Sequence, residues 1–164
     1  RVVLFALFSA VRHLRKTVKS DGILRLTSFC RTYTMLSMNL LIITNNPRVN
    51  IEFCDVEQVQ FHENASQEEI LRIARDCIHL GARLVAHPMA GRIKPHETPY
   101  KSVLLEERRG ETDVNSVIII EDSIAATRKL LEHTSMQKYD DELLPDLQLI
   151  DLLLLKSGLD EVRR

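Results

Sequence analysis

The sequence has few cysteines, and their spacing excludes the common cysteine-based sites. Cys30, Cys54 and Cys77 are the three in 164 residues, and no two of them form a C-x-x-C pair. Structural zinc sites and disulfide frameworks need closely spaced or evenly paired cysteines. We therefore predict no metal centre and no disulfide framework, and we expect the protein to work in the reducing cytoplasm.

Glycine is also scarce, with 5 residues in the chain. The sequence contains neither G-x-G-x-x-G, the motif of dinucleotide-binding folds, nor G-x-x-x-x-G-K-[ST], the P-loop motif. Both motifs use glycine because the backbone must approach a phosphate group closely. The absence of both leaves no support for a nucleotide cofactor, and we predict none.

The chain has almost no net charge, at -1, but its charges are unevenly distributed. Before residue 38 a single acidic residue, Asp21, opposes the basic side chains of Arg1, Arg12, Arg15, Lys16, Lys19, Arg25 and Arg31. The rest of the chain is acidic. This argues against general binding of nucleic acid, because phosphate contacts need clustered lysine and arginine.

The first residues include an apolar run, RVVLFALFSAV, that is too short to span a bilayer and is followed by no clear A-x-A cleavage site. Residue 38 begins MNLLIITNNP, which has the pattern of a natural start that runs directly into a strand. We therefore expect residues 1–37 to be upstream sequence or a basic extension outside the fold. Residues 38–164 are expected to form a single α/β domain without a membrane segment. The alternative for residues 1–37 is a loosely docked basic helix.

Five apolar runs are typical of strands. They are NLLIIT, VEQVQF, ARLVAH, SVLLEE and SVIIIE, at residues 39–44, 56–61, 82–87, 102–107 and 116–121. The first is largely aliphatic, which favours a central strand buried on both faces. Helical signals lie between these runs, so we predict a three-layer α/β fold. Its open sheet is expected to have about five strands, mostly parallel, with flanking helices and room for an antiparallel hairpin around Gly110.

Three helices are predicted from the residues at their ends. An S-x-x-E capping box begins at Ser66, and Gly81 follows as the stop signal of that helix. Asp122 is the expected N-cap of the next helix, directly after the fifth predicted strand. Pro145 suits the first turn of a last, leucine-rich helix, which Gly158 is expected to end.

Two unusual loops follow the carboxyl ends of predicted strands: TNNP at residues 44–47 and HPMAGRIKPHETPYKS at residues 87–102. Ligands of open α/β sheets bind at this edge, so we predict that the two loops form two walls of one cleft. The amides of Asn45 and Asn46 are suited to a small polar ligand because each donates and accepts hydrogen bonds. Asn46 before Pro47 is equally typical of a helix N-cap, and a capped N-terminus itself attracts anions.

The longer loop is stiff and locally positive. Its prolines restrict the backbone and preorganise it, while Gly91 permits a positive φ or the close approach of a ligand. Its positive charges are opposed only by Glu97. These features favour a small anion or an acidic partner surface, and the alternative is a stiff, solvated surface loop. The prolines are Pro88, Pro95 and Pro99, and the charges are Arg92, Lys94 and Lys101.

Catalytic and metal-binding signals are weak. A histidine at a strand end, His87, is suited to act as a general base near neutral pH, although a histidine before proline is as often a hydrogen-bonded turn residue. Tyr100 and Lys101 are adjacent, and adjacent residues of an extended segment point to opposite faces. No established metal-ligand spacing is matched by His62, His87, His96 and Glu97.

Taken together, LIITNNP, the long loop and the later VIIIEDSI resemble the GrdX family, small proteins encoded with the glycine, sarcosine and betaine reductase genes of amino-acid-fermenting anaerobes. The resemblance covers residues 38–164. It implies an intracellular accessory to a selenoprotein reductase system that converts glycine to acetyl phosphate and ammonia. It carries over no catalytic residue. The sequence also lacks the cysteine or selenocysteine pair expected of the electron-carrying subunits.

We therefore predict an accessory protein of a glycine, sarcosine or betaine reductase pathway that binds a small anionic metabolite or a reductase subunit through the two loops. The alternative is a small enzyme acting on a phosphorylated or carboxylated metabolite. In that enzyme His87 or Tyr100 would be the acid or base, and Lys94 or Lys101 would stabilise negative charge. The predicted ligand-binding residues are Asn45, Asn46, His87, Gly91, Lys94, Thr98, Tyr100 and Lys101.

Overall fold

A computed structural model describes residues 39–91, 93–108, 110–134 and 139–163. The prediction that residues 1–37 lie outside the fold falls on residues that are not described, and it stays a prediction. Arg92, one of the positive charges of the long loop, also lies outside the described residues.

The described strands form one four-stranded sheet. They are β1 (Leu40–Thr44), β2 (Gln58–Phe61), β3 (Arg83–Leu84) and β4 (Ser102–Glu106), in the order β2-β1-β4-β3. The central position of β1 is confirmed, since all five of its residues are buried. The prediction of a mostly parallel sheet of about five strands is wrong. Only β1 and β2 pair in parallel, whereas β4 runs antiparallel to both β1 and β3.

The antiparallel pairing follows from the path of the long loop. Parallel neighbouring strands need a crossover connection, usually a helix, that returns the chain to the end of the sheet where the first strand began. The segment between β3 and β4 contains no helix in its described residues. The loop stays at the end of the sheet where β1 ends, and Thr44 therefore pairs with Ser102, the first residue of β4.

The fifth predicted strand is part of a helix. SVIIIE lies within the helix Val114–His133, which is α3 in chain order. The N-cap of this helix is Asp113. Its side chain accepts a hydrogen bond from the backbone of Ser116. The predicted N-cap at Asp122 is therefore also wrong, because Asp122 lies inside this helix. A short apolar run has no period that separates a strand from a buried helix, and the cap at Asp113 marks where this helix begins.

The other helix ends largely match their sequence signals. Helix α1 (Pro47–Phe53) begins after Asn46, and α2 (Gln67–His79) begins with the predicted capping box. Gly81 follows α2 with a φ of 106°, as expected for a helix stop. Helix α4 (Leu144–Val162) has Pro145 in its first turn but continues through Gly158. Glycine allows close packing there rather than termination, since a Cβ would lie 3.1 Å from that of Ala86.

Helices cover both faces of the sheet, so the predicted three layers are confirmed. Alternate residues of a strand point to opposite faces. Leu41 and Ile43 pack in one core with α2 and α3, while Leu40 and Ile42 pack in a second core with α1 and α4. Within the described ranges, no helix is both long and apolar enough to cross a membrane.

Candidate functional site

The turn that follows β1 is held by the side chain of Asn45. Its Nδ2 donates to the carbonyl oxygens of Ala65, at 2.8 Å, and Pro99, at 2.9 Å. Its Oδ1 accepts from the backbone nitrogen of Lys101 at 2.7 Å. One buried amide thus joins β1, the segment before α2 and the end of the long loop. Asn45 fixes the position of Lys101 through the backbone, and its own donors are occupied.

Asn46 has a similar structural position on the other side of β1. It is fully buried, and its Oδ1 accepts from the backbone nitrogen of Arg48 at 2.9 Å, which caps α1. Its Nδ2 donates to the carbonyl oxygen of Gln148 and to Oδ2 of Asp151, each at 2.9 Å. The N-cap interpretation of Asn46 is confirmed, and the same side chain ties α1 to α4.

Asp151 is the centre of this polar network, and the sequence reasoning missed it. Its Oδ1 accepts from the backbone nitrogen of Ser102 at 3.1 Å, and its Oδ2 accepts from the Ser102 hydroxyl at 2.7 Å. The Ser102 hydroxyl also lies 2.7 Å from that of Thr44. A usable signal was present: Asp151 is the one charged residue in the run LQLIDLLLL, so it interrupts a leucine-rich helix that covers the sheet.

The long loop lies over α4 and leaves two small cavities of about 30 Å³ and about 50 Å³. We call this pair of cavities the Lys101 cleft. Lys101 and Asp151 line both cavities, together with Ala90 and Leu154. A buried water needs roughly 10–15 Å³ measured in the same way, so each cavity has room for a few waters or for a ligand of few heavy atoms.

Lys101 is the charged group of the cleft that has no direct protein partner in the described part of the chain. Its side chain is partly buried, and none of the described residues forms a hydrogen bond or ion pair with its Nζ. Burial lowers the pKa of Lys101, and the charge of Asp151 opposes that effect only in part. The fold therefore places a partly buried ammonium group at the cleft without a direct counter-charge among the described residues.

The two candidate acid–base residues lie in different cavities. His87 is exposed, lines the larger cavity and accepts a hydrogen bond at Nδ1 from the backbone nitrogen of Met89, at 3.1 Å. Tyr100 lines the smaller cavity, and its hydroxyl lies 2.8 Å from Nε2 of Gln148. The structure brings each of them next to Lys101 but does not place both around one cavity.

The remaining predicted residues shape the loop. Thr98 lines the smaller cavity, and its carbonyl oxygen accepts from Nε2 of the buried Gln67. Gly91 has a φ of 105°, and a Cβ there would lie 3.0 Å from the Leu154 side chain, so glycine lets the loop approach α4. Lys94 is exposed and lies outside the lining of both cavities.

Metal binding finds no support in the geometry. The residues with described positions include no group of three or more His, Cys, Asp or Glu side chains that could hold a metal ion. The chemistry available in the cleft includes the ammonium group of Lys101, the carboxylate of Asp151, the Tyr100 hydroxyl of the smaller cavity and the His87 imidazole of the larger one. Such a set can bind a small charged molecule and orient it.

Fold and site together define a small three-layer α/β protein with a lysine–aspartate cleft under its long loop. The family model of GrdX-like proteins matches residues 41–160, so the chain belongs to the GrdX-like family. The resemblance seen in the sequence is thereby confirmed, and it associates this protein with glycine reductase systems. Comparison with curated proteins and with solved structures gave no match.

Proposed function

We propose that this protein is a cytoplasmic accessory protein of a glycine, sarcosine or betaine reductase pathway that binds a small anionic metabolite in the Lys101 cleft. The observation that carries the proposal is the ammonium group of Lys101, which faces two cavities without a direct partner among the described residues. Membership of the GrdX-like family supports the association with such a pathway.

The energetics of the cleft support an anionic ligand. Removing a charged group from water is costly unless a counter-charge or hydrogen bonds replace the lost hydration. Asp151 offsets part of this cost for Lys101 through its charge. A bound carboxylate or phosphate would supply the missing hydrogen bonds. Because Asn45 and the buried Pro95 hold the surrounding loop, little ordering would be needed on binding.

The test is thermal melting of the full chain against phosphate, acetyl phosphate, acetate and glycine. A ligand at about one hundred times its dissociation constant should add roughly 2.7 kcal/mol, which is several degrees for a chain of this size. We expect Lys101→Met to abolish the shift. The matched control is Lys94→Met, which removes an exposed lysine of the same loop and should retain it. Equal shifts in both variants would remove Lys101 from the site.

The geometry favours ligand binding over an enzyme that uses both His87 and Tyr100 on one substrate. His87 and Tyr100 line different cavities, so one ligand of few atoms would reach only one of them. Turnover of a phosphorylated or carboxylated metabolite would therefore depend on a single one of these residues, next to Lys101.

A second candidate function, docking on a reductase subunit, is favoured by exposed apolar residues of α4. Ile150, Leu153 and Leu154 are 38%, 54% and 39% exposed, and Leu154 also lines the cleft. Large apolar side chains exposed together often mark protein interfaces. A melting shift with isolated reductase subunits, and none with small anions, would favour this function over the first.

The pKa of Lys101 gives a separate prediction for stability. Lys101→Met should raise the free energy of unfolding at neutral pH by about 0.5–1 kcal/mol, because groups placed for binding commonly cost stability. Burial lowers the pKa of Lys101 in the folded chain, so the unfolded chain binds this proton more tightly. Wild-type stability should then rise with pH between the lowered folded pKa and the unfolded value of about 10.4.

The measurement is urea denaturation of both proteins from neutral pH to about pH 10. The difference between the variant and the wild type should shrink as the pH rises. A variant that is less stable than the wild type at neutral pH would make Lys101 a structural residue and count against the binding role.

A further inference from the structure

The Lys101 cleft contains two opposite charges that do not meet. Lys101 and Asp151 line the same two cavities, yet Asp151 acts on the Lys101 pKa through its charge and not through a hydrogen bond. We propose that the cleft binds a small zwitterionic α-amino acid, whose carboxylate contacts Lys101 and whose ammonium contacts Asp151. This inference rests on the proposed function and refines its ligand: the anionic group that Lys101 binds is the carboxylate of an amino acid.

The side chain of Asp151 cannot turn freely toward Lys101, because hydrogen bonds to Asn46 and Ser102 hold it. Asp151 accepts from the backbone nitrogen and the hydroxyl of Ser102 and from Nδ2 of Asn46. These bonds orient both carboxylate oxygens, and Asn46 is itself fully buried. The fold therefore fixes the Asp151 side of the gap between the two charges, and the cavities that both residues line are where a ligand would bridge them.

Hydrogen-bonding capacity points to the same ligand. An ionised carboxylate offers about four acceptor positions, and Asp151 uses three of them, with one bond at Oδ1 and two at Oδ2. Within the described part of the chain, one acceptor position thus remains, at Oδ1. The Lys101 ammonium offers three donors, and none is used within the described residues. A ligand that accepts at one end and donates at the other would satisfy both groups.

Charge separates this ligand from a simple anion. Lys101 and Asp151 together carry no net charge, so phosphate or acetate would be attracted by the first and repelled by the second. A zwitterion is complementary to both, and unfavourable contacts with a wrong ligand are a common source of specificity. Between carboxylates of similar size, the cleft should prefer the one with an adjacent ammonium group.

Size limits the side chain of the amino acid. The cavities of about 30 Å³ and about 50 Å³ accommodate few heavy atoms beyond a carboxylate and an amine. The apolar side chains of Leu154 and Ala90 line both cavities, and Ile93 lines the smaller one. An α-amino acid with no side chain or a methyl side chain fits this description, and glycine is the smallest probe.

The experiment is calorimetric titration of the full chain with glycine, acetate, methylamine and phosphate. We expect glycine to bind at least about tenfold more tightly than acetate or methylamine, a difference of roughly 1.4 kcal/mol. Lys101→Met should lose the binding of glycine, while Lys94→Met should keep it. Changing the ligand rather than Asp151 leaves the structural network intact, so a failure to fold cannot imitate the result.

Each outcome decides between the two proposals. If acetate or phosphate binds as tightly as glycine and depends on Lys101, the zwitterion inference is overturned and the anion site stands. If methylamine equals glycine, Asp151 alone selects the ligand and both the inference and the anion site are overturned. If no probe binds, both proposals fail.

Discussion

Asn46→Ala should lower the free energy of unfolding by about 3 kcal/mol, because one buried amide serves three partners. Loss of a helix N-cap costs about 1 kcal/mol on its own. The substitution also removes the hydrogen bonds to the Gln148 carbonyl and to Asp151, and each buried group left unpaired costs about 1–3 kcal/mol. Chemical denaturation of the full chain measures the change.

The matched control is Asn64→Ala, which removes the same amide from an exposed position before α2. Surface substitutions of this kind usually change stability by less than about 0.5 kcal/mol. A loss below about 1 kcal/mol for Asn46→Ala would mean that the bonds from Asn46 to α4 contribute little, and that Asn46 stabilises the fold as a helix cap only.

Local signals predicted the elements whose ends are fixed by neighbouring residues. The capping box at Ser66, the stop at Gly81 and the cap at Asn46 each depend on contacts within a few residues, and all three are present. The same reasoning failed for SVIIIE. Its helical state depends on burial of Ile120 and Ile124 against the sheet, which a short apolar run does not reveal.

Sheet direction was beyond the sequence for a different reason. An apolar run shows that a strand is buried but not which way it runs beside its neighbour. The direction of β4 depends on the long loop staying at the end of the sheet where β1 ends. Asn45 holds the loop there through hydrogen bonds to Pro99 and Lys101. Those contacts join residues more than fifty positions apart, and no local pattern predicts them.

The candidate site, too, was predicted from the sequence only where local patterns determine it. Its two loops were predicted from their composition, and the structure places Lys101 and Tyr100 at cavities under the long loop. The sequence left open whether the asparagines face a ligand or the chain, because an amide suits both. Their distant partners include residues of α4 and of the long loop, so only the folded chain shows that they position the site. Asp151 was missed because its role depends on Ser102 and Asn46.

Asp151→Ala should lower the free energy of unfolding by roughly 3 kcal/mol, since it removes three accepted hydrogen bonds. The backbone nitrogen of Ser102 and the amide of Asn46 would each lose an acceptor at the junction of β4 and α4. Urea denaturation measures the loss. Asp160→Ala is the control, because Asp160 lies exposed on the same helix and should change stability by less than about 0.5 kcal/mol.

An exchange of the Asn46 and Asp151 side chains tests the hydrogen bond between them apart from the other contacts of each residue. Asp151→Asn places an amide where Asn46 already donates, whereas Asn46→Asp with Asp151→Asn restores a donor and an acceptor across the same gap. The double variant should therefore be more stable than the sum of the single changes by about 1–2 kcal/mol. Additive losses within about 0.5 kcal/mol would show that the two residues act independently, and the proposed orientation of Asp151 toward the cleft would then lose its physical basis.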